Sequence, residues 1–170
     1  MRIGDRRCSP YCGIVSCLLA ILLVLLTCYG SNTAALVGKV TRVSDGDTIW
    51  VTDAAKLKYK VRLDRIDAPE KDQPWGMESS LFLKSWIFGK DVRVEYAKRD
   101  RYGRILGVVY EGTNDVNLAM VRTGNAWHYG YFDKTPEYSE AEAEACEARR
   151  GLWSQDNPTN PYRWRRTHRK

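Results

Sequence analysis

The chain has 170 residues, 44% of them hydrophobic, and a formal net charge of +6. That length admits one ordinary domain and little else. Four of the five cysteines (Cys8, Cys12, Cys17, Cys28) crowd the N-terminus and only Cys146 lies beyond it. The body therefore holds no internal disulfide, and the lack of a CxxC pair or a Cys/His cluster argues against a zinc site.

In chain order, residues 14–26 come first and read IVSCLLAILLVLL, without a charge. Arg2, Arg6 and Arg7 precede them, and the small or polar Ser31, Asn32, Thr33, Ala34 and Ala35 follow. A basic start, a short apolar run and small residues afterwards describe a secretory signal peptide over 1–35. Two other readings stay open. A membrane anchor through residues 14–28 has to work with 16 apolar positions (13–28), against the roughly 20 that cross a bilayer. Lipid attachment is suggested by Leu25-Leu26-Thr27-Cys28, with Thr where Gly, Ala or Ser is usual. The expected location is secreted or periplasmic, or membrane-anchored through this segment.

Residues 36–157 read as one domain. LVGKVTRV at 36–43 is β-branched and roughly alternating, Ser44-Asp45-Gly46 is a turn, and DTIWV at 47–51 resumes the strand. Tyr59, Val61 and Leu63 then alternate with Lys60, Arg62 and Asp64, which puts Arg62 on the face opposite the apolar set. The pattern returns at 91–96, and a run at 105–110 follows the turn-like 100–103. Five short strands so close together predict a small barrel. Residues 76–88 carry Met77, Leu81, Ser85 and Phe88 at helical spacing with Gly89 as a stop. Asp115 caps a second helix ending by Gly124. A third, rich in Glu, Ala and Arg, runs over 136–150 up to Gly151. Pro158 and Pro161 are expected to break up the tail, 158–170.

The charge is unevenly placed. Residues 162–170 carry five basic side chains and no acid, whereas 36–161 hold 19 basic and 20 acidic residues. The tail therefore supplies the basic character, which fits either a polyanionic partner or a solvated terminus.

Three segments concentrate charge where strands end: DGDT at 45–48, RLDRIDAPE at 62–70 and DRYGR at 100–104. Taken singly, each reads as a turn or strand end with solvated charges. Together they offer Asp47 and Asp67 as oxygen ligands for a hard cation, Arg62 and Arg104 as a fork for a phosphate, and Glu70 to act on a water. Those groups are what phosphodiester hydrolysis needs.

With VNLAMVRTGNAW at 116–127 and RRGLW at 149–153, these motifs resemble the staphylococcal nuclease (thermonuclease) family over about residues 36–166. The resemblance implies an α+β fold, a five-stranded OB-type β-barrel with three helices, and cleavage of DNA and RNA with Ca2+. Carried over residue by residue, Asp47 and Asp67 are metal ligands, and Ala68 supplies a backbone carbonyl where many relatives have Thr. Arg62 and Arg104 contact the scissile phosphate, and Glu70 is the general base. Tyr102 matches a position near the nucleotide phosphate. Tyr131 and Tyr129 flank the point, here Gly130, at which the family often places a tyrosine against the nucleotide, although core packing is the plainer role for these rings. His128 is expected to be a surface or satisfied core histidine. The alternative to an enzyme is a non-catalytic nucleic-acid-binding module of the same fold. A monomer is the default expectation.

Overall fold

In the computed structural model, residues 34–168 are described. The expectations for the N-terminal segment fall outside them. No helix among the described residues is long and apolar enough to cross a membrane.

Five strands close into a barrel: β1 (Ala34–Asp45), β2 (Thr48–Thr52), β3 (Lys58–Leu63), β5 (Asp91–Arg99) and β6 (Ile105–Glu111). Neighbours run antiparallel from β3 through β2, β1 and β5 to β6, and a parallel pairing of β3 with β6 shuts the ring. The 12-residue β1 serves both β2 and β5, helped by register shifts at 40–42 and 43–45 that bend it. Closure leaves no open sheet edge in the ring, which suits a domain whose only cysteine among the described residues, Cys146, is free.

The alternation read from the sequence becomes the core. Val40, Ile49, Val51, Val61, Leu63, Val94, Ile105 and Val109 are fully buried. Each such side chain contributes about 1.5–3 kcal/mol on leaving water. The parallel seam also sets the chemistry. Arg62 pairs with Leu106 across it, so the end of β3 lies beside the start of β6. A second, two-stranded sheet joins β4 (Ile66–Asp67) to β8 (Trp127–His128), with Asp67 opposite Trp127. A short β7 (Asn114–Asp115) pairs with the end of β6.

The three expected helices are present as α1 (Gly76–Ile87), α2 (Val116–Arg122) and α3 (Pro136–Glu147). The Asp115 side chain caps α2 by accepting from the Leu118 N–H at 2.9 Å. The buried face of α1, however, is Gly76, Ser79, Leu83 and Ile87, and the row of Met77, Leu81 and Phe88 stands more than half exposed. The reason is close packing. A Cβ on Gly46 would lie 2.0 Å from Ser79 Oγ, so only small residues let α1 approach the Asp45–Thr48 turn. The tail also differs from expectation. Pro161 does not break it but opens a fourth helix, α4 (Pro161–Thr167), at a position where its missing N–H costs nothing. Asn160 caps this helix, accepting from Tyr162 N–H at 3.0 Å. A 3-10 turn over Gly151–Ser154 precedes it.

One buried amide ties α2 to the barrel. Asn117, with no exposed surface, accepts from the Val109 N–H (3.1 Å) and donates to the carbonyls of Asp64 (2.9 Å) and Gly107 (3.0 Å). Asn117→Ala strands the buried Val109 N–H and the partly buried Asp64 carbonyl, each costing about 1–3 kcal/mol, while Gly107 O keeps the Asp64 N–H. Urea denaturation of Asn117→Ala is expected to show a loss of roughly 3 kcal/mol. A loss below 0.5 kcal/mol, the scale of an ordinary surface substitution, would show that the amide holds nothing.

Candidate active site

The DGDT turn places two carboxylates at the mouth of the barrel. Asp47 is buried, and each of its side-chain oxygens is occupied: Oδ1 accepts from Thr48 Oγ1 (2.9 Å), and Oδ2 accepts from the Ala68 N–H (3.0 Å). Asp45 accepts from the Asp47 N–H at 3.1 Å. Burial, and then the charge of Asp47, push the Asp45 carboxyl up to about 6. Two acids held this close, partly out of water, repel each other unless a cation joins them.

Asp67 ends β4 almost wholly buried. Burial raises its carboxyl above the usual range, against the opposing pull of Arg165 and Arg62. Arg62 bridges the two segments, with Nη1 at 2.6 Å from Asp47 Oδ2 and Nη2 at 2.9 Å from Asp67 Oδ1. The loop beyond Asp67 carries Glu70 and is fixed by reciprocal bonds with Gln73, Glu70 N–H to Gln73 Oε1 (3.1 Å) and Gln73 N–H to Glu70 O (2.9 Å). A Cβ on Gly76 would fall 1.8 Å from Glu70 O, so a glycine is needed for this loop to lie on α1.

Across the seam, Arg104 follows the 100–103 turn and binds Asp100 through Nε at 2.7 Å. Slight burial pulls the Asp100 carboxyl up, but the hydrogen bonds from Arg104 and Tyr102 outweigh it and hold it below the ordinary value. Tyr102 is exposed at the hairpin tip, with the guanidinium groups of Arg101 and Arg104 4.8 and 5.7 Å from its ring.

All five polar positions singled out in the sequence are thus near one another. Asp47, Arg62, Glu70 and Arg104, with Ala68 and Tyr102, line a cleft of about 1040 Å³, and Asp67 is bonded to Arg62 beneath it. Tyr131 is not among the lining residues. It is 82% exposed and packs edge-on against Phe132 at 4.7 Å, while Tyr129 and Phe132 face the cleft. Tyr131 therefore serves neither core packing nor the wall of this cleft. His128 is the satisfied core histidine expected, its Nε2 2.9 Å from Asp133 Oδ2.

Sequence reasoning missed two groups. Asp45 belongs to the DGDT motif, yet only its burial beside Asp47 marks it as more than a turn residue. Arg165 was counted as tail charge. It reaches into the cleft from α4, with Nη2 2.9 Å from Asp67 Oδ2, and Nη1 3.1 Å from Asp67 Oδ1 and 2.8 Å from Glu70 Oε1. Burial would lower its pKa, but these two acids raise it well above the ordinary value. Its traces in the sequence were the basic RWRR run and the extension of the family resemblance to residue 166.

The donors suit a hard cation. Asp45, Asp47 and Asp67 are carboxylates at one mouth of the barrel, and no cysteine lines the cleft. Among the described residues, however, no three His, Cys, Asp or Glu side chains come together as an ion cage, because arginines stand between them.

A small closed barrel with acids and arginines converging at its mouth defines a class of phosphate-handling OB-type proteins. Comparison with known proteins narrows the class. Residues 60–155 match the family model described as staphylococcal nuclease homologue. The chain is 50% identical over 135 residues to an uncharacterized endonuclease of Escherichia coli, covering 78% of this chain and 86% of that protein. It is 38% identical to an uncharacterized endonuclease of Haemophilus influenzae, over 90% of this chain and 84% of the relative. It is also 41% identical over 112 residues to the probable staphylococcal-like nuclease CAN2 of rice, covering 66% of this chain and 30% of that protein. The chain belongs to the staphylococcal nuclease family and is a nuclease by that membership.

Proposed function

We propose that this nuclease is a calcium-dependent endonuclease that hydrolyses phosphodiester bonds in DNA and RNA. The observation that carries the reading is the convergence of Asp47, Arg62 and Asp67, joined by direct ion pairs, with Glu70, tied to Asp67 through Arg165, at a cleft that also takes in Arg104. Asp47 and Asp67, with the Ala68 carbonyl, would hold the calcium, which when bound supplies a Lewis acid for the phosphate.

The chain's own residues do the rest. Glu70 is the group of this set that solvent reaches most freely, with 39% of its side chain exposed, so it can orient a water and receive its proton. Arg62 and Arg104 offer guanidinium forks to the phosphate oxygens and offset the charge that grows as water attacks phosphorus. Tyr129, Phe132 and Tyr102 around the cleft give flat faces against which an unpaired base can rest.

The test is digestion of single-stranded DNA and of RNA with calcium, with and without a chelator. Cleavage is expected with calcium and is expected to stop in chelator. Undiminished cleavage in chelator would sink the calcium dependence. Binding without turnover at every calcium concentration would favour the non-catalytic module instead.

A further inference from the structure

Arg165 holds Asp67, a carboxylate that the cation would need, and with it Glu70. Both oxygens of Asp67 are taken: Oδ1 by Arg62 (2.9 Å) and Arg165 (3.1 Å), Oδ2 by Arg165 (2.9 Å). The same guanidinium also holds Glu70 at 2.8 Å, so a single side chain ties the buried ligand to the carboxylate that acts on water. A hard cation draws on six to eight oxygens, so a filled Asp67 weakens its seat.

The helix that brings Arg165 here is poorly secured. It has seven residues, far below what holds together alone in water. Its other ties include the Asn160 cap, the buried Pro161, the partly buried Trp164 with its enclosed indole nitrogen, and a bond from Gln73 Nε2 to Thr159 O. Its remaining arginines, Arg163 and Arg166, have no carboxylate partner among the described residues.

We propose that α4 is a built-in latch: Arg165, tied also to Glu70, occupies the cation's place against Asp67, and metal binding requires α4 to release it. The proposal rests on the metal reading above. The exchange is a substitution of charge, in which the cation takes Asp67 and a polyanion beside the cleft takes up the freed Arg165 with Arg163 and Arg166. Metal and nucleic acid then each favour the released form, and each raises the affinity for the other by the same factor.

The test is calorimetric titration of the full chain with CaCl2 alone, comparing wild type, Arg165→Gln, Arg165→Lys and Asn160→Ala. Arg165→Gln is expected to bind calcium about 5–100-fold more tightly, the usual span of such couplings. Arg165→Lys, which keeps the charge but not the two-pronged grip, should fall between the two. Asn160→Ala touches no acid and only weakens α4. A gain of about fivefold is expected there, in keeping with the loss of one cap, and this variant carries the test if Arg165→Gln melts early. Faster amide hydrogen exchange over residues 161–168 when calcium is added to wild type is the matching structural readout. Calcium affinity unchanged or weakened in both Arg165→Gln and Asn160→Ala overturns the latch while leaving the metal reading intact. No calcium binding by wild type overturns the metal reading itself, and the latch with it.

Discussion

Glu70→Gln is expected to slow cleavage of single-stranded DNA by roughly 10²–10⁴-fold at saturating calcium, with substrate binding little changed. The size of the effect follows from what the change leaves in place. Glutamine has the same shape, and the Glu70 backbone is pinned from both sides by Gln73 and seated against Gly76. Position is therefore preserved, and what is lost is the negative charge that draws a proton from water. Saturating calcium matters because Glu70 is also one of the acids that Arg165 grips. At low calcium, a change in the hold of α4 would be mixed with the change in chemistry. Initial rates over a range of substrate concentrations separate kcat from KM. A variant that cleaves at the wild-type rate would remove Glu70 from the chemistry.

Arg62→Ala and Arg104→Ala are expected to share one effect and differ in another. Each should reduce cleavage by about 10²–10³-fold, comparable to losing one preorganised donor to a developing oxyanion. Their effects on stability should diverge. Arg62 is 14% exposed and lies between Asp47 and Asp67, which are more buried still. Taking it away leaves two facing acids in a low-dielectric pocket, at a cost of about 3–5 kcal/mol in the metal-free protein. Arg104 pairs with Asp100 beside an exposed hairpin tip, so its removal should cost under 1 kcal/mol. Calcium should recover part of the Arg62→Ala deficit, because an ion that binds only the folded chain stabilises it by mass action. Urea unfolding with and without calcium measures both. Equal stability losses in the two variants would contradict the account of Arg62 as the bridge between buried acids.

Much of this was legible in the amino-acid pattern, for local reasons. The barrel strands announce themselves by alternation, and the helix ends by Asp115, Gly89 and Gly151, because each signal is complete within a few residues. Asp47, Arg62, Asp67, Glu70 and Arg104 are each bland charges at strand ends and turns, and they were legible only because the three segments together offer the groups of one reaction. What escaped depends on docking. The inward face of α1 is chosen by how near Ser79 can come to Gly46, and small residues leave no hydrophobic signature. Arg165 meets Asp67 across 98 positions, and nothing in a short run of arginines says which one will reach inward. Of the two tyrosines that flank Gly130, Tyr129 faces the cleft together with Phe132, whereas Tyr131 turns out of it, and nothing local decides between neighbouring rings.

The parallel seam between β3 and β6 has a consequence for how the protein comes into being. It joins Val61–Leu63 to Ile105–Gly107, stretches some forty residues apart, and nothing local rewards that encounter beforehand. The hairpins β1–β2–β3 and β5–β6 can form early, each carrying one of the two arginines, with neither holding a complete site. Arg62 and Arg104 therefore come to one cleft only when the ring shuts, and the cleft itself is a product of the closed topology.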